Sequence, residues 1–113
     1  MALQGKSKLV ERPQELNEFY ALPEDAQMLL IYFLWQGNAD FSLLPFDHDV
    51  DALLPKAWVN KVGQVHNGLQ RYRITEVKED LLVRFEDDLL SKENLEKLDH
   101  YRMRKRALYP WNW

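Results

Sequence analysis

The sequence predicts a mainly α fold carrying one small β-hairpin, and three observations predict it. Apolar residues at 28, 29, 31, 32, 33 and 35 follow a helical period, and positions 77, 81, 85 and 89 repeat every four residues. Between those stretches lies Asn67-Gly68, flanked by residues of alternating character. That dipeptide is a strong hairpin signal, because a type I′ turn needs positive φ at both central residues. The chain has 113 residues, 46% hydrophobic and 29% charged, which suits one self-sufficient hydrophobic core and not a disordered chain.

Taken in order, residues 1–21 show no sustained period and read as an N-terminal arm. Pro23 followed by Glu24 and Asp25 opens the first helix, since proline suits the first helical position and acids there complement the macrodipole. Gly37-Asn38 stops it. Residues 39–44, with Phe41 and Leu43 on one face, read as a short strand ended by Pro45. Asp47 offers an N-cap oxygen for a two-turn helix over 48–54. Pro55 then starts a further short helix over 55–62, because a proline within a helix removes a hydrogen bond and clashes with the preceding turn. Gly63 closes that helix and the hairpin spans 64–75, with Tyr72 and Ile74 inward and Arg71 and Arg73 on the opposite face. Thr75 caps the next helix with a partial capping box, Lys78 standing where Glu or Gln would complete it. Ser91 opens the last helix, which ends on Arg102, Arg104, Lys105 and Arg106. Residues 22–90 thus form the expected globular unit and 91–113 a C-terminal helix and aromatic tail.

Several function classes are excluded. With no cysteine there are no disulfides, thiolate zinc sites or cysteine nucleophiles, which fits a reducing, cytoplasmic setting. The longest apolar run is residues 28–35, well short of the about 20 needed to span a membrane, and the basic N-terminus lacks the apolar stretch of a secretory signal, so no membrane partner is expected. His48, His66 and His100 lie apart in sequence. His48 stands between Asp47 and Asp49, but sequence neighbours on a helix do not converge on one face, so a solvated cap is expected there and no metal site. Glu86, Asp87 and Asp88 read as a solvated helix surface, and no phosphate loop or serine elbow is present. The chain is therefore read as non-enzymatic and free of cofactors.

Charge is distributed in blocks. Net charge is −3, yet residues 13–54 carry eight acids and no Lys or Arg, while residues 55–74 carry Lys56, Lys61, Arg71 and Arg73 and no acid. Residues 75–100 return to nine acids against four bases, and 101–113 again hold bases only. An anionic partner would be confined to the central basic segment and repelled beside it.

The order helix, strand, two short helices, glycine, hairpin and helix over about residues 22–90 resembles a winged-helix domain. Ala57, Trp58, Val59, Asn60, Lys61 and Val62 before Gly63 look like its third helix, and Leu69 to Thr75 like the returning wing strand. A narrower likeness, through the first helix, the glycine and Tyr72-Arg73-Ile74-Thr75, is to the winged-helix-like soluble portion of phage superinfection-exclusion proteins, whose membrane segments have no counterpart in this sequence. The resemblance implies a helix-turn-helix, DNA-binding protein. Lys56, Asn60, Lys61 and Gln64 would then face the major groove from the third helix, with Arg71 and Arg73 on the wing. The cations would neutralise phosphates, and the amides of Asn60 and Gln64 suit adenine edges. The alternative is a protein-protein interaction module, an adaptor or inhibitor of phage or mobile-element type. It would use the acidic helices and the tail residues Tyr109, Trp111 and Trp113 to dock on a partner or a second copy. A tail folded back onto its own core is the competing expectation for those aromatics.

Overall fold

The computed structural model describes residues 13–45, 47–109 and 113. Residues 1–12 of the sequence-predicted arm (1–21) and Trp111 lie outside them. A 3-10 turn at Gln14–Leu16 runs into α1 (Asn17–Tyr20), followed by α2 (Glu24–Gln36), β1 (Asp40–Leu43), α3 (His48–Asp51), β2 (Val59–His66), β3 (Leu69–Ile74), α4 (Glu76–Arg84), α5 (Glu86–Leu89) and α6 (Lys92–Arg106). The fold is α+β, with six α-helices among the described residues and a three-stranded antiparallel sheet in the order β1-β3-β2.

The central helix α2 forms where the sequence places it. Glu24 and Asp25 occupy its first turn, and Gly37 ends it in the left-handed region at φ 72°. Ala26 and the run from Met28 to Phe33 are buried, so this helix is apolar nearly all round and forms the middle of the molecule. The buried cluster reaches from Leu16 and Phe19 through α2, Trp58 and the strands to Leu98, Tyr101, Tyr109 and Trp113. Aromatic stacking links its parts. Trp113 stacks on Tyr32 at 4.5 Å, Phe33 on Phe41 at 4.3 Å and Phe41 on Tyr72 at 5.7 Å, joining the tail, α2, β1 and β3.

The expected helix over 55–62 is replaced by strand. After one short turn of α3 the chain passes through turns over 52–57, Ala57 takes a positive φ of 60°, and β2 begins at Val59. Leu53 and Trp58 are fully buried here, with Trp58 packed edge-on to Phe19 at 6.1 Å. Val59 then pairs with Ile74, Asn60 with Arg73, Lys61 with Tyr72 and Val62 with Arg71. Cross-strand pairing with β3 outweighs the local helix signal of Pro55, as is usual for segments rich in β-branched residues.

The hairpin turn forms as expected, with Asn67 at φ 53° and Gly68 at φ 78°. Gly63 ends no helix. It sits inside β2 at φ 69°, within a bulge between Val62 and His66. Thr75 precedes α4 but makes no side-chain cap; its hydroxyl donates to the Ala57 carbonyl at 2.8 Å and fastens the β2 entry turn to the end of β3. The single helix expected from the four-residue repeat is broken at Phe85 into α4 and α5; within the repeat Val77 is 78% exposed and Leu89 is buried, and Leu82, outside it, is buried as well. Ser91 caps α6 as expected, its Oγ accepting from the Asn94 amide at 3.2 Å. Residues 14–20, assigned to the arm by sequence, are helical and bury Leu16 and Phe19.

Candidate functional site

Strand alternation divides the sheet into two faces. Phe41, Leu43, Gln70, Tyr72, Ile74 and Val59 point into the core. Asp40 and Ser42 of β1, Arg71 and Arg73 of β3, and Asn60 and Val62 of β2 share the opposite face through the registers Asp40 to Arg73 to Asn60 and Ser42 to Arg71 to Val62. Ser42, Asn60, Arg71 and Arg73 are exposed. Two arginines at alternate positions of the middle strand therefore stand side by side on an open face. Asp40 lies between them, 3.5 Å from Arg71 and 3.7 Å from Arg73. These separations exceed the about 2.7–2.9 Å of a tight charge-assisted bond, so Asp40 orients both guanidinium groups without saturating either.

The six sequence-predicted contact residues divide unequally. Asn60, Arg71 and Arg73 meet on the open face, as alternation predicts for the arginines. Lys61, facing Tyr72, emerges on the other side of the exposed edge strand β2. Lys56 lies exposed in the turn before β2, and Gln64 lies in the bulge. None stands on a recognition helix, since residues 59–66 are a strand.

A second constellation was not foreseen from sequence. Lys105, expected to complement the macrodipole in the last turn of α6, has a side chain only 5% exposed, donates to Asp47 Oδ2 at 2.6 Å and pairs with Asp49 Oδ2 at 2.7 Å. Tyr109 donates to the same Asp47 oxygen at 2.7 Å and accepts from the Leu44 amide at 3.0 Å, while Tyr101 donates to Asp49 Oδ2 at 2.6 Å. Asp47 Oδ1 caps α3 by accepting from the Asp49 amide at 3.1 Å. The rings of Tyr101, Trp113 and Tyr109 lie 5.4, 5.6 and 5.7 Å from the ammonium. Burial, reinforced by Asp49, pushes the Tyr101 phenol far above its ordinary pKa, and burial with the bond to Asp47 does the same for Tyr109. His48 points away, 92% exposed and 3.5 Å from Asp51. Apart from the local cap by Asp47 Oδ1, the bonds of this cluster fasten α3 and the β1 exit to α6 and the tail.

Tyr109 and Trp113 are 3% and 4% exposed, so they complete the core, as a tail folded back on its own domain requires, and present no surface to a partner. Arg102 and Arg106 hold that arrangement, donating to the Trp113 carbonyl at 2.9 Å and at 3.2–3.3 Å respectively. Among the described residues no helix is long and apolar enough to cross a membrane. No protein-family model, curated protein or solved structure matches this chain.

Proposed function

We propose that the chain is a non-enzymatic binding module, winged-helix-like but without the recognition helix, that holds the phosphate backbone of a nucleic acid against its open sheet face. The observation that carries this reading is the pair Arg71 and Arg73, exposed side by side on the middle strand with Asn60 across from Arg73. Guanidinium groups suit phosphate oxygens bidentately, and an amide beside them adds a neutral donor. The acidic surroundings favour the same site, since residues 13–54 carry eight acids and residues 75–100 nine. The bases of 101–113 are engaged, Arg104 with Asp25, Lys105 with Asp47, and Arg102 and Arg106 with the Trp113 carbonyl, so a polyanion is least repelled at the sheet. The order helix, strand, short helix, hairpin, helix supports the winged-helix likeness, and the missing third helix alters what it implies. Asn60 then joins Arg71 and Arg73 on the backbone, while Lys56 in the turn, Lys61 on the other side of β2 and Gln64 in the bulge form no set of readers in the major groove.

The test is a titration of fluorescein-labelled DNA, duplex and single strand, at 50 and 200 mM salt. Two or three phosphate contacts on a duplex imply a loss of affinity of about 12- to 40-fold across that range. Absence of binding at 50 mM, or binding indifferent to salt, refutes the reading.

A further inference from the structure

The open face is not flat. Between the pairs Val62 with Arg71 and His66 with Leu69, β2 advances four residues while β3 advances two, so β2 carries two extra residues. The bulge opens a cleft of about 410 Å³ lined by Ser42, Val62, Gly63, Gln64, His66, Asn67, Leu69 and Arg71. Gly63 makes it possible through its backbone, since φ 69° is a region other residues rarely adopt, whereas a Cβ there would meet nothing within 4 Å. From the core side the buried Gln70 amide reaches toward the Val62 and Gly63 carbonyls at 3.4 and 3.3 Å, which keeps the bulge in shape.

The chemistry of this lining is mixed in a particular way. Val62 and Leu69 are half-buried and form an apolar floor, Arg71 stands at one side, and His66, Gln64 and Asn67 are exposed around the rim. A volume within the about 300–1,000 Å³ of small-molecule sites is more than a lone phosphate group needs. An imidazole offers a stacking plane, the two amides carry donor and acceptor for the edge of a base, and a guanidinium takes the adjoining phosphate. The geometry points to this cleft as a site for one unpaired nucleotide of a single strand, its phosphate on Arg71 and its base against His66 with Gln64 and Asn67 at its edge. The inference rests on the phosphate-binding reading of the open face and goes beyond it, because a base within a duplex is stacked and paired and cannot enter the cleft.

The experiment compares three labelled probes of equal length at 50 mM salt: a single strand, the same strand with abasic sites throughout, and the duplex. The intact single strand is expected to bind at least about fivefold more tightly than either other probe, the scale of one base stacked on a side-chain ring. His66→Ala with Gln64→Ala, both at exposed positions and checked for an unchanged melting curve, should bring the single strand down to the abasic value and leave the duplex unaffected. Equal binding of all three probes, or a preference that survives the double substitution, overturns the nucleotide cleft and leaves the phosphate-binding face standing. Failure of every probe to bind overturns both.

Discussion

Consider Lys105→Met, which keeps the length of the side chain and removes its charge. The ammonium makes one short charge-assisted hydrogen bond, to Asp47 at 2.6 Å, and a close ion pair with Asp49 at 2.7 Å, with side chains 5%, 4% and 14% exposed. A charge-assisted hydrogen bond of this kind contributes about 1.5–3 kcal/mol. Removing one partner of a buried ion pair typically costs about 3–5 kcal/mol, because the remaining charge stays out of water without compensation. Two carboxylates are stranded here, but Tyr109 and Tyr101 still donate to them at 2.7 and 2.6 Å, so the same range, about 3–5 kcal/mol, is expected. For a domain of this length that is a fall in Tm of about 10–20 °C. Urea unfolding followed by tryptophan fluorescence at neutral pH measures it, with an unchanged m value showing that the unfolded reference is the same. Adding Asp47→Asn and Asp49→Asn should recover at least half of the loss, since amides leave no stranded charge and the side chain at position 47 retains an oxygen that can cap α3. A single variant within about 1 kcal/mol of the parent, or a triple variant no better than the single, would refute the argument.

Two further outcomes follow from other parts of the fold. Tyr101 and Tyr109 keep their protons in the folded state above the pH of about 10 at which unfolded tyrosines ionise, so their contribution is intact below pH 10 and declines as pH rises, by up to about 2.7 kcal/mol per unit for the pair; denaturant unfolding at pH 9, 10 and 11 checks this, and a flat profile contradicts it. Gly68→Ala places a Cβ at φ 78° in the hairpin turn and should lower stability by about 1–2 kcal/mol in the same assay, with a neutral effect ruling out the type I′ geometry.

What was legible in the sequence was locally punctuated. The limits of α2 are set by Pro23 and Gly37, the hairpin by Asn67-Gly68 and the start of α6 by Ser91, and each device acts within a few residues of its own position. Arg71 and Arg73 on the outer face were legible too, because alternation along a strand needs no knowledge of the partner. The segment 55–62 was not. Val59, Val62 and Val65 are spaced by three and serve a helix stripe as well as a strand, and the choice is made by pairing with β3, beyond the reach of any local signal. Lys105 was missed for a related reason. A cation in the last turn of a helix already has a sufficient explanation in the macrodipole, and its two carboxylates lie 58 and 56 residues earlier in the chain. The stripe at 77, 81, 85 and 89 mistook a four-residue repeat for one face, although a repeat of four drifts around a helix of 3.6 residues per turn and carries Val77 into solvent.

The bulge at Gly63 also governs what the molecule does to its own kind. β2 is an edge strand, and an unprotected edge is a template on which another chain can add its own strand and begin an aggregate. Here regular pairing runs only from Val59 to Val62 before the two extra residues break the spacing, and Lys61 projects from within that short stretch. A second chain therefore meets at most four residues of continuous ladder and must bring its own lysine to the same place. The irregularity that hollows the sheet keeps its border from being extended.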